Sequence, residues 1–143
     1  MEEIMPMPLP LDAATPVGAG AYTDIVGIDA PSSAAPGAVV SITVRVKNTY
    51  SSLIGIMVGG ALEYGVSPWP TINFPDPTKN VNAGATESFL GNFVMPNKDV
   101  IIHAYSYYYT TEGWYFDDER TIKVTVGVEQ PVFSNLSVTY TRG

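Results

Sequence analysis

The sequence predicts an all-β chain folded as an antiparallel sandwich, on three observations. Apolar and polar residues alternate one by one in several short runs, the period of a strand with one buried and one wet face. The 143 residues include 13 glycines and 12 prolines, which cut the chain into short pieces. No segment carries the 3.6-residue period of an amphipathic helix. Apolar residues make up 45% of the chain, enough to fill the core of one domain, and a second full domain does not fit.

Residues 1–21 hold four prolines and no strand or helix period, so they read as an extended arm. In polyproline geometry such an arm reaches on the order of 60 Å, at about 3.1 Å per residue. Its Ile4, Met5, Met7, Leu9, Leu11 and Val17 are unusual for a solvated linker, so the segment reads either as a floppy terminus or as an arm held by its own domain or by a neighbouring chain, the last being the reading taken forward. Residues 22–28 read as the first strand. Val40, Ile42, Val44 and Val46 then alternate with Ser41, Thr43, Arg45 and Lys47, introduced by the turn pair Pro36-Gly37 and closed by Asn48. Residues 53–64 form a more apolar strand, in which Gly55, Gly59 and Gly60 predict a bulge or bend. Pro68, Pro70, Pro75 and Pro77 bracket residues 71–74, which make at most a short edge strand. Asn82-Ala83-Gly84 is a turn, residues 88–95 place Phe89 and Phe93 on one face, and residues 96–99 turn the chain again. Residues 100–109 are the most β-prone run, and Glu112-Gly113 leads into residues 114–126, with Ile122, Val124 and Val126 facing one way.

About seven short strands over roughly a hundred residues is the pattern of an immunoglobulin-like sandwich, assigned to residues 22–127. In the remaining residues 128–143, Leu136, Val138 and Tyr140 alternate with Ser137, Thr139 and Thr141. This extra C-terminal strand either closes a sheet of its own domain or augments a partner's.

The stretch Ala35-Pro36-Gly37-Ala38-Val39-Val40-Ser41-Ile42-Thr43-Val44-Arg45-Val46-Lys47-Asn48-Thr49 resembles a strand of prokaryotic and phage immunoglobulin-like modules of the CARDB type. Asn82-Ala83-Gly84-Ala85-Thr86, with Phe93-Val94-Met95-Pro96-Asn97-Lys98-Asp99-Val100, is similar to a later turn and strand of such modules. The likeness runs from about Thr23 to Val126 and leaves both ends uncovered. It implies the fold, and a habit of decorating the surfaces of cells or virions, but brings no catalytic residue.

Composition narrows the chemistry. With no cysteine there is no disulfide scaffold and no thiolate nucleophile, and a single histidine leaves no multi-histidine metal centre. Fourteen acids against seven bases give a net charge of −7, which repels a phosphate backbone and argues against nucleic acid as the partner. The acidic, proline-interrupted start predicts no export signal, and the longest apolar run, residues 53–62, is far short of the roughly 20 that a membrane helix needs. No Gly-x-Ser-x-Gly elbow occurs. His103 shares a strand face with Ile101 and Tyr105 and reads as a partly buried strand histidine. Asp117 and Glu119 would share a face about 7 Å apart, compatible with a carboxylate pair or hard-cation site, or with a solvated hairpin end paired to Arg120 or Lys123. Tyr105, Tyr107 and Tyr109 share a face, Tyr108 takes the other, and Trp114, Tyr115 and Phe116 follow across the turn. Such rings stack as cross-strand pairs, form a flat platform for sugar rings, or make a tyrosine-rich interface.

These readings predict a non-enzymatic structural protein without a cofactor, on the surface of a phage-like particle. Its task would be capsid decoration or another virion-surface role. Its partners would be protein subunits of a lattice, gripped by the arm and the terminal strand, with further copies of itself within that assembly. The alternative is a carbohydrate-binding module or adhesin at a cell surface, stacking sugar rings on Trp69, Tyr107, Tyr109 and Trp114.

Overall fold

The computed structural model describes residues 20–127, so the arm residues Ile4, Met5, Met7, Leu9, Leu11 and Val17, and Leu136, Val138 and Tyr140 of the terminal strand, lie outside the described residues. Eight strands run in chain order: β1 (Thr23–Asp29), β2 (Ser33–Ala34), β3 (Val39–Asn48), β4 (Ile54–Glu63), β5 (Thr78–Val81), β6 (Thr86–Val94), β7 (Val100–Thr110) and β8 (Gly113–Val126). They form a three-stranded sheet, β1-β3-β6, and a five-stranded sheet, β2-β8-β7-β4-β5. All pairings are antiparallel except the two-residue β2–β8 pair, which is parallel. No helix among the described residues is long and apolar enough to cross a membrane.

The alternation read from the sequence is what closes the sandwich. Val40, Ile42, Val44 and Val46 of β3, with Phe89 and Phe93 of β6, face Ile54, Ile56, Val58 and Leu62 of β4 and Val100, Ile102 and Ala104 of β7. On β7 every second residue from Val100 to Thr110 is buried, leaving the residues between them for the other face. Tight turns join the strands at glycines with positive φ: Gly37 at +84°, Gly84 at +77° and Gly113 at +120°.

Three expectations are corrected. The glycines of β4 make no bulge, because β4 stays in register with β7 from Ile56 to Glu63. Gly60 makes room instead: a Cβ there would stand 2.8 Å from Ile72 Cδ1 and 2.9 Å from the His103 carbonyl oxygen. Residues 71–74 are not the edge strand. Only Thr71 and Asn73 make isolated bridges, and β5 takes the edge beside β4. Proline cannot donate to a ladder, which is why the strand forms only after Pro77.

Finally, Asp117 and Glu119 do not share a face. The β7–β8 register passes from Ser106↔Asp118 to Tyr107↔Phe116, so Asp117 is the extra residue of a bulge. Nor is it a solvated hairpin end: Asp117 is 2% exposed, while the cations Arg120 and Lys123 lie nearest to Asp24 and Asp99.

Asp117 has a structural task. Its Oδ2 accepts from Thr23 N at 2.7 Å, Tyr22 N at 3.2 Å and Thr23 Oγ1 at 2.6 Å, and its Oδ1 accepts from Ala21 N at 3.0 Å. Asp118, also buried, accepts from Ile25 N at 2.9 Å and Glu119 N at 2.8 Å. Burial pushes the Asp118 carboxyl up from its ordinary range, against the pull of those backbone bonds. The two acids occupy the free edge of β1 and tie the two sheets together there.

Candidate functional site

The bulge at Asp117 also builds the outer face of the five-stranded sheet, by shifting the phase of β8. Before it, Trp114 and Phe116 lie opposite Tyr109 and Tyr107; after it, Glu119, Thr121 and Lys123 lie opposite Tyr105, His103 and Ile101. Both sets therefore share the face that β7 presents outward. On the other side β4 brings Met57 opposite Tyr107, Gly59 opposite Tyr105 and Ala61 opposite His103.

Aromatic rings fill this face. Phe116 packs edge-on against Tyr105 at 6.1 Å and Tyr107 at 6.0 Å between centroids, and Tyr109 meets Trp114 at 5.1 Å by the hairpin turn. Trp69, from the loop after β4, stacks on His103 at 4.4 Å with 25° between the planes, and the His103 ring is followed by that of Tyr105 at 6.4 Å. Trp69 is 41% exposed and Phe116 52%, so the row is open to solvent at both. Burial pushes the phenols of Tyr105 and Tyr107 up from their ordinary range.

His103 is held between two carboxylates. Its Nδ1 lies 2.7 Å from Glu119 Oε2 and its Nε2 2.8 Å from Glu63 Oε1. Burial alone lowers the basicity of His103, but the hydrogen bonds to Glu119 and Glu63 outweigh it and hold the pKa above the ordinary imidazole value. The histidine is partly buried on a strand, as expected, and it is the centre of an ion-pair cluster. Among the described residues no group of three or more His, Asp or Glu converges on a metal position.

Between the tyrosines and the loop after β4 lies a cleft of about 360 Å³. Gly59, Gly60 and Ala61 of β4 line it together with Thr71, Phe74, Pro77, Tyr105 and Tyr107. All four ring-stacking candidates of the sequence, Trp69, Tyr107, Tyr109 and Trp114, belong to the aromatic clusters of this sheet, but not to one spot. Tyr107 lines the cleft, Trp69 stands on His103, and Tyr109 and Trp114 pair near the hairpin turn. Phe116, the cleft and the Glu63–His103–Glu119 cluster were not singled out by sequence reasoning. Phe116 carried a signal in its place within the aromatic run. The other two depend on the β4–β7 register, which brings together residues 40 positions apart.

No protein-family model matches the chain, and no curated protein matches it. Among solved structures, a calcium-binding mutant of Bacteroides uniformis β-glucuronidase 2 is similar with a TM-score of 0.52 and 13% identity, over 72% of this chain and 13% of that one. Spo0M, a sporulation control protein of Bacillus subtilis, is similar with a TM-score of 0.47 and 18% identity, over 79% of this chain and 51% of that one. A PapD-like domain of human CEP192 is similar with a TM-score of 0.44 and 4% identity, over 74% and 89% of the two chains. The chain thus spans a small part of the glucuronidase and about half of Spo0M. The fold is an immunoglobulin-like β-sandwich.

Proposed function

We propose that this chain is a non-enzymatic surface protein whose sandwich recognises its target through the aromatic outer face of the five-stranded sheet. The observation that carries the reading is the row of rings from Trp69 to Phe116, open to solvent at both residues on a rigid sheet. Aromatic side chains give large contact area at a small loss of rotamer freedom, the usual basis of a recognition surface. Support for a non-catalytic role comes from the groups that chemistry would need. Asp117 and Asp118 are spent on the β1 edge, and His103 and Glu119 on each other. Probing a printed glycan array with the parent chain and with Trp69→Ala and Phe116→Ala tests this. Binding that both substitutions abolish, with the fold intact by circular dichroism, supports the reading; binding that both leave unchanged refutes it.

The setting read from the sequence, the surface of a phage-like particle, rests on the apolar arm of residues 1–21 and the strand at Leu136, Val138 and Tyr140. We keep it as the proposal for how the sandwich is held. Many weakly docking arms on one lattice would add up to firm attachment. Deleting residues 1–20, which spares the Ala21 N–H bonded to Asp117, should then abolish attachment to the assembly while glycan binding by the sandwich persists. Attachment unchanged by the deletion would remove the arm from the account.

A further inference from the structure

We propose that the cleft beside Tyr105 and Tyr107 binds a neutral saccharide, one or two rings long, lying on the glycine floor of β4. This rests on the recognition reading above and names the ligand class for that face. Gly59 is the first observation. It has no positive φ, and a Cβ added there would meet only Tyr107 Cε1, at an ordinary 3.7 Å. Glycine in a strand is destabilising, and neither backbone geometry nor crowding requires it here, in contrast to the neighbouring Gly60. What its bare backbone provides is depth in the cleft.

The lining is the second. Phe74, Pro77 and the two tyrosine rings offer apolar faces, while Thr71, Tyr105 and Tyr107 carry hydroxyls. Among the described residues the Tyr105 and Tyr107 hydroxyls have no hydrogen-bond partner. Apolar walls with a few convergent polar groups suit a ligand that alternates C–H faces with hydroxyls. Charge is the third. No Lys or Arg lines the cleft, and Glu63 and Glu119 stand at the adjoining His103. A phosphate or uronate would find no cation in the lining, whereas a neutral polyol needs none. The volume of about 360 Å³ lies at the lower end of the range for small-molecule sites.

The test is a titration of the full chain, followed by amide and indole NMR shifts, with cello-, xylo-, malto- and chito-hexaose and with hexagalacturonate. Saturable shifts with a neutral hexaose are expected, weakened at least about tenfold by Gly59→Ala, which fills the floor, and by Tyr107→Ala. Gly59→Ala is chosen because its added methyl has room, so the fold is kept. Three results overturn the saccharide assignment: no shift with any neutral sugar, neutral binding that Gly59→Ala leaves unchanged, or binding of hexagalacturonate alone. In the last case, loss of binding in Phe116→Ala would leave the recognition face standing while the ligand class falls. No response to any sugar, with an array equally silent, removes both.

Discussion

A neutral imidazole has one N–H, yet both ring nitrogens of His103 lie within 2.8 Å of a carboxylate oxygen. Only the imidazolium satisfies Glu63 and Glu119 together, so losing a proton turns one hydrogen bond into a repulsion between lone pairs. The folded-state pKa is raised, so the cluster's contribution to stability is complete below the ordinary imidazole pKa and is lost as pH rises through the raised folded value. Trp69 reports on this, because it stacks on the ring. In a Trp114→Phe background, tryptophan fluorescence should titrate with a midpoint above that of free imidazole. Glu63→Gln or Glu119→Gln should lower that midpoint and His103→Gln should abolish the transition; a midpoint unmoved by either glutamine would contradict the cluster. Asp117 acts through hydrogen bonds in a different way, by accepting from three successive backbone N–H groups. Asp117→Ala strands those donors at a buried edge and should lower stability by about 3 kcal/mol, with Asp117→Asn intermediate, read from urea unfolding.

At the scale of elements, contacts other than a strand ladder join the two sheets on both sides of the sandwich. On one edge the acids of the β8 bulge hold β1. On the other the segment after β4 crosses between the sheets: Ile72 N donates to the Gly60 carbonyl at 3.0 Å, and Asn73 and Asn92 exchange backbone bonds at 3.1 and 2.9 Å. Phe74 then packs over Gly91, where a Cβ would stand 2.7 Å from its ring. Gly91→Ala should cost about 1–3 kcal/mol by crowding. Phe74→Ala should cost about 3–5 kcal/mol by leaving a cavity. The double variant should cost less than the sum, because alanine at 74 removes the clash, and strict additivity would contradict the contact. These elements differ in how far the sequence reveals them. β3 was legible because Val40, Ile42, Val44 and Val46 alternate with polar residues, and β7 because it is so rich in β-branched and aromatic residues. The bulge was not, since Asp117, Asp118 and Glu119 are all acids and no apolar marker reveals a change of phase. The 71–74 segment was read as a strand at most, although Ile72 and Phe74 act as a plug. Prolines hide pairing that is made by single bridges.

For the whole molecule, the two outer faces make opposite offers. The three-stranded sheet exposes the aliphatic residues Val39, Leu90 and Val94, of which Val39 and Val94 are a cross-strand pair, while the five-stranded sheet carries the rings, the cleft and the His103 cluster. An aliphatic patch as small as this is ordinary on a protein surface. A continuous aromatic row beside a cleft is the more specific feature, and it assigns recognition to that sheet. Sequence reasoning placed Tyr105, Tyr107 and Tyr109 on one face but did not add Phe116 or the Trp69–His103 stack to it, because those additions depend on the bulge and on tertiary packing. The most direct measurement is an NMR shift map of the full chain, titrated with the glycan that binds best on the array. Perturbations centred on Tyr105, Tyr107, Phe116 and the Trp69 indole are expected. Perturbations centred on Val39, Leu90 and Val94, or none at all, would contradict that assignment.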